Sequence, residues 1–207
     1  MDFNINTIFP TSFISSNISR EFTKEEIEAL ALYGIPGETY KNQGNTTTVK
    51  RYILRDEKAF TSIKEFIDTG VRHYLESIVL PPDDVQYFMT QSWLNFTKPG
   101  EFHHKHEHPN SLISGVFYFN ADKENDKIYF YNENQYQRIK IQPKQWNYHN
   151  SRSWWYPVGT GDLIIFPSEL THMVDVTTSK ETRISLAFNV FAKGAFGKEE
   201  QLTALYL

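Results

Sequence analysis

The sequence predicts an α+β chain in which helices come first and an antiparallel β-sandwich or barrel follows, with the helices packed on one outer face. Three observations lead there. Helical periodicity is confined to the residues before Pro81 and Pro82. From residue 85 onward, short apolar or alternating runs recur between turn residues, and no long helical pattern intervenes. Aromatics are abundant, with 16 Phe, 12 Tyr and 4 Trp, and such side chains pack well on a pleated surface.

In chain order, residues 1–20 read as irregular or extended, with Pro10 and several Ser and Asn. "TKEEIEALALYG" opens on a capping box, Thr23 with Glu26, and stops at Gly34, which makes a short helix. "GIPGETYKNQGNTTT" (34–48) reads as loop, and "VKRYILR" (49–55) alternates well enough for a strand. From Glu57 to about Leu80, Phe60, Ile63, Phe66, Ile67, Val71, Tyr74, Leu75 and Ile78 recur at helical spacing, and the two prolines end that helix. The expected strands then lie at 85–97, 114–120, 127–132, 138–143, 161–167, 172–178 and 182–192. No repeat and no linker interrupts them. The expectation is one domain over 1–207, with 1–84 as helical support and 85–192 as the β core.

Composition narrows the function. The 207 residues are 40% apolar, enough for one substantial core. The net charge is −4 with the signs interspersed, so nucleic acid is not a favoured partner. There is no cysteine, which excludes disulfides and thiolate metal sites. No signal peptide is read at the N-terminus, and no stretch approaches 18 apolar residues, so a cytoplasmic protein without a membrane span is expected.

Four of the seven histidines, His103, His104, His106 and His108, fall in "EFHHKHEHPN". Side chains alternate across a strand, so His104, His106 and His108 are expected on one face and His103, Lys105 and Glu107 on the other. Imidazoles two apart on one face begin a metal site for Fe, Zn, Cu or Ni. His172, after "GDLIIFPSEL", is the candidate third ligand; His73, in the long helix, and His149, in a polar loop, are less suited. Eleven residues beyond His172 stands Arg183 in "TRISLAFN". An arginine among Ile, Leu and Phe on a strand is costly to bury unless it meets an anion, and its planar fork suits a carboxylate. Ser185 shares its face. A buried arginine–carboxylate pair is the plain alternative.

"HEHPNSLISGVFYF", "GDLIIFPSELTHMV" and "TRISLAFN" together resemble the Fe(II)- and 2-oxoglutarate-dependent oxygenases, and more narrowly a bacterial and phage branch with an HxHPxS…SGVYY signature. The resemblance runs from about Gln91 to Ala192. It implies a double-stranded β-helix, the cupin-like jelly roll, and an oxidoreductase that uses Fe(II), 2-oxoglutarate and O2 to hydroxylate a substrate, releasing succinate and CO2. Carried onto this chain, it places the metal on His106, His108 and His172, with His104 at the rim. The far carboxylate of 2-oxoglutarate falls to Arg183 and Ser185, with Tyr118, Ser114, Tyr129 and Asn189 as further inward contacts. The chain departs from the superfamily in one respect. Most members supply two histidines and one carboxylate, whereas here no Asp or Glu lies two residues after a clustered histidine; Asp175 is the residue that could be recruited.

Two other classes stay open on the residues alone. One is a cupin-like three-histidine metalloenzyme, with Zn or Fe, that does not use 2-oxoglutarate. The other is a non-catalytic jelly-roll binding or virion module. The substrate is expected to be a small molecule, peptide or sugar. The polar and aromatic insert 132–157, with Trp146, Tyr148, Trp154, Trp155 and Tyr156, is the candidate for its recognition, and a homodimer is compatible with the reading.

Overall fold

The computed structural model describes residues 3–133 and 142–207. The elements are β1 (Ile14–Asn17), α1 (Lys24–Tyr33), β2 (Thr39–Lys41), β3 (Thr46–Thr48), α2 (Ile53–Asp56), a 3-10 turn (Lys58–Phe60) and α3 (Thr61–Tyr74), which runs into a π turn (Leu75–Val79). Then follow β4 (Gln86–Thr97), β5 (His103–His106), β6 (Ile113–Asn120), β7 (Lys127–Tyr131), β8 (Ser153–Pro157), β9 (Asp162–Pro167), β10 (His172–Val174), β11 (Arg183–Lys193), β12 (Ala195–Phe196), a second 3-10 turn (Glu199–Gln201) and β13 (Leu205–Tyr206). Seven strands form a sheet in the order β1-β9-β6-β11-β4-β3-β2, and four form a second sheet, β5-β10-β7-β8. All pairings between these strands are antiparallel, and the two sheets are the walls of a jelly roll. No helix among the described residues is long and apolar enough to cross a membrane.

The period-2 pattern of β11 explains how the layers are built. Ile184, Leu186, Phe188 and Val190 turn to the helices, while Arg183, Ser185, Ala187 and Asn189 turn to the space between the sheets. On the helix side, Phe60, Ile63 and Ile67 are fully buried against Phe117, Leu163, Leu186 and Phe188. Each such side chain stabilises the fold by about 1.5–3 kcal/mol. Gly115 makes this packing fit: a Cβ there would stand 2.2 Å from the Phe188 ring and 2.9 Å from the Ile164 carbonyl oxygen. Between the sheets a smaller cluster, Tyr118, Ile128, Val158, Ile164 and Phe166, closes one end.

Thr23 caps α1 as its spacing predicts. Its hydroxyl accepts from Glu26 N, and the Glu26 carboxylate accepts from Thr23 N. α3 and its π turn stop at Leu80, which takes a left-handed φ of 50° directly before the prolines. Two expectations change. "VKRYILR" is not a strand: Ile53 and Leu54 are both buried, which one helical turn permits and alternation forbids, and Leu54 N donates to Ser92 Oγ. The supposed loop 34–48 contains the β2–β3 hairpin, which extends the large sheet through β4. Residues 1–20 include β1, which covers the β9 edge. The strand expected at 138–143 lies outside the described residues for 138–141.

Candidate metal centre

β5 and β10 pair with His106 opposite His172, so two imidazoles from distant parts of the chain face each other. His108 follows on the turn after β5, anchored by its N–H to the Ser168 carbonyl at 3.0 Å. The three rings lie 4.3–5.0 Å apart between centroids, and ligand atoms of all three fall within 4.8 Å of one another. Among the described residues, no carboxylate joins them in that group. Asp175 is exposed, and its Oδ1 accepts from Val176 N at 2.8 Å rather than turning inward.

Hydrogen bonds fix the protons. His106 Nδ1 lies 2.7 Å from the His104 carbonyl oxygen, and His172 Nδ1 lies 2.9 Å from the Leu170 carbonyl oxygen. A carbonyl can only accept, so both rings carry their proton on Nδ1 and present a lone pair on Nε2. His108 Nδ1 lies 2.6 Å from Asn189 Oδ1 and 2.8 Å from Ser114 Oγ, which leaves its Nε2 lone pair inward as well. Ser114 in turn bonds Ser168 at 2.8 Å and Asn189 at 2.9 Å, so the polar group behind His108 is closed on itself. Metal-bound histidines are oriented in this way by the partner on the other nitrogen.

The consequence is a conflict that a cation resolves. His106 Nε2 and His108 Nε2 are 3.0 Å apart, and both are acceptors. Protonating one ring would also relieve them, but burial holds His106 down to about 4 and His172 to about 3, and burial lowers His108 too. A divalent transition metal held by the Nε2 atoms of His106, His108 and His172 would resolve it. The donor set fits a divalent transition metal.

Arg183 lies on the inward face of β11, 3% exposed. Its Nη1 donates to Asp126 Oδ1 at 2.9 Å. Asp126 is itself pinned: Oδ1 also accepts from Thr177 Oγ1 at 2.8 Å, and Oδ2 accepts from Asp122 N at 2.9 Å. Arg183 Nη2 is buried with no partner, and so is the Tyr118 hydroxyl. Tyr118 is held above the ordinary phenol range, chiefly by burial, so it is a donor. The register sets Ser185 opposite both Tyr118 and Asn95 on the same face. Two orphaned donors of this kind match one carboxylate of a ligand.

The expected site residues therefore fall into three groups. His106, His108 and His172 converge. Arg183, Ser185 and Tyr118 share one inward patch. Ser114 and Asn189, expected as cosubstrate contacts, instead hold His108. Tyr129 faces the other way: it alternates with Ile128 and Phe130, which are in the inter-sheet core, and it stands opposite Met173 and Trp155 on the outer side of the small sheet. His103 also departs from strand alternation. Three steps of β5 oppose two of β10 between the His106–His172 and His103–Val174 pairs, a bulge that brings the His103 ring parallel to His106 at 4.7 Å. Asp126 was not legible as a site residue; it is the last of three acids, Asp122, Glu124 and Asp126, before the "KIYFY" strand, and nothing in sequence sets it apart from the other two.

Residues 91–189 match the family model described as "Putative 2OG-Fe(II) oxygenase". No curated protein matches the chain. Among solved structures, a Pseudomonas putida prolyl-4-hydroxylase is similar at 13% identity and a TM-score of 0.57, over 89% of this chain and 94% of that one. HygX from Streptomyces hygroscopicus, solved with nickel, 2-oxoglutarate and hygromycin B, is similar at 10% identity and 0.58, over 87% and 82%. SnoN, described as a non-heme alpha ketoglutarate dependent epimerase from nogalamycin biosynthesis, is similar at 8% identity and 0.63, over 91% and 82%. At these identities the likeness is one of fold.

Proposed function

We propose that this chain, whose residues 91–189 match the 2OG-Fe(II) oxygenase family model, is an oxygenase that hydroxylates a C–H bond of an external substrate. The observation that carries the reading is the pairing of two unsatisfied features between the two sheets: facing Nε2 lone pairs on His106 and His108, and orphaned donors on Arg183 and Tyr118. The first asks for a cation and the second for a carboxylate.

His106, His108 and His172 would hold Fe(II) through Nε2. Arg183 Nη2, Tyr118 and Ser185 would take the far carboxylate of 2-oxoglutarate. When bound, iron and 2-oxoglutarate with O2 supply the oxidising power for inserting one oxygen atom into the substrate, with succinate and CO2 as coproducts. The chain's own residues orient and shield. Asn189 and Ser114 keep His108 in the tautomer that offers Nε2. Asp126 fixes the guanidinium through Nη1, so that Nη2 points to a ligand without searching rotamers. Phe166, 4.6 Å from the His172 ring, keeps water from the back of the metal position. The exposed Trp154 and Trp155, with Tyr148 against Trp154, give a stacking surface for a peptide or sugar.

An anaerobic titration of the apoprotein with Fe(II) and then 2-oxoglutarate, followed by visible absorption, tests the reading. A charge-transfer band that needs both additions is expected. It should be lost in D126N/R183Q, which removes both members of the ion pair and strands neither charge. Tight Zn(II) with no band on adding 2-oxoglutarate would replace this reading with the three-histidine zinc one.

A further inference from the structure

Two imidazoles of the cluster are left over. His103 and His104 are half-buried, and with His106 they place ligand atoms within 4.8 Å of one another. The rings stand 5.2 Å (103–104), 4.7 Å (103–106) and 4.8 Å (104–106) apart. His104 Nδ1 lies 3.3 Å from the Gln43 carbonyl oxygen, which keeps its proton there and leaves Nε2 as a donor to a metal. Gly44, at φ +96°, lets that loop close on β5: a Cβ would meet the Phe102 carbonyl at 2.6 Å, and Phe102 N donates to the Gly44 carbonyl at 3.1 Å. The His103 ring touches His104 and His106, and among the described residues no side-chain hydrogen bond engages it. Lys105, between His104 and His106 in sequence, points out to Glu133 and over the Tyr131 ring, away from this place.

We propose that His103, His104 and His106 form a second, outer transition-metal site that shares His106 with the inner triad, and that the two sites cannot be filled together. Sharing is exclusive for a chemical reason. His106 Nδ1 is committed to the His104 carbonyl, so the ring has one lone pair, and one ion at a time can take it. An ion in the outer site leaves the inner one with His108 and His172 only. All-imidazole ligation favours Cu(II), Ni(II) and Zn(II) over Fe(II). The outer site is therefore an inhibitory one, through which such ions, by taking His106, release iron without themselves entering the inner triad.

The test uses Zn(II) alone, in competition with a chromophoric chelator, and is independent of 2-oxoglutarate. H108A/H172A abolishes the inner triad and is expected to keep one Zn(II) per chain. Adding H103A/H104A should remove it. A folded H108A/H172A variant that holds no Zn(II), or one whose Zn(II) survives H103A/H104A, overturns the outer site. If H108A/H172A does not fold, the intact inner triad carries the test. Wild type and H103A/H104A are loaded with Fe(II) and titrated with Zn(II). Half-release of iron is expected at lower Zn(II) in the wild type, and equal midpoints overturn the proposal. Failure of the charge-transfer titration would leave both results unaffected.

Discussion

The two faces of β11 follow opposite rules. Toward the helices, Ile184, Leu186, Phe188 and Val190 meet a dry aliphatic and aromatic layer in which shape is the whole requirement. Toward the second sheet, Arg183 is buried and Asn189 half-buried, and each meets a named partner from another strand or loop: Asp126 and His108. The first face tolerates error in small increments. The second has discrete bonds, so losing one member strands another.

That contrast is sharpest in the ion pair. D126A should destabilise the chain by about 3–5 kcal/mol, because it leaves the buried Arg183 cation uncompensated. I67A, on the helix face, should cost about 2–5 kcal/mol through its cavity alone. The two differ in what repairs them. Removing the Arg183 charge as well should return much of the D126A loss in a denaturant melt, whereas no polar second change should rescue I67A. Equal rescue would erase the distinction between the faces.

N189A probes the inward face without touching a charge. It frees His108 Nδ1, and the metal affinity measured by chelator competition should fall about 10- to 100-fold. An unchanged affinity would mean that Ser114 alone orients the ring.

A further difference is in pH dependence. In the metal-free chain, burial holds His106 at about 4 and His172 at about 3, below the ordinary imidazole value. Between those values and roughly 6.5 the unfolded chain binds more protons than the folded one, so stability is full above about 6.5 and declines as pH falls toward 4 and then 3. Denaturant midpoints of the apoprotein between pH 7 and 4 should show this decline, and H106A/H172A should flatten it.

The helix face was legible from sequence because one periodicity decides it: Phe60, Ile63, Ile67, Val71 and Tyr74 are all buried as their spacing predicts. Most strands of the two sheets were legible too, from short apolar or alternating runs between turn residues, whereas β8 (Ser153–Pro157) lay in the insert read as a loop. The inward face was legible only where residue type announces chemistry, as with the clustered histidines and a strand arginine. Asp126 carries no such mark, since its meaning comes from a partner 57 positions away. His103 was misplaced because a bulge breaks the period on which the reading relied. Thr46–Thr48 read as loop because its neighbours are turn residues, while its pairing to β4 is a tertiary fact. Tyr129 was set inward although its neighbours Ile128 and Phe130 are the better apolar pair for that face.

The Asp126–Arg183 pair also settles an electrical balance. A dianionic cosubstrate and a divalent ion cancel, and three imidazoles add nothing. In the superfamily pattern that this chain resembles, a carboxylate on the metal then offsets the arginine. Among the described residues no carboxylate joins the three histidines, and the offsetting charge sits 2.9 Å from the guanidinium instead. On the proposed reading the filled site would be neutral in both arrangements, with the negative charge moved from one end of the cosubstrate to the other. A metal held by the three histidines would then lack an anionic protein ligand, and the far carboxylate would meet a cation already paired with Asp126.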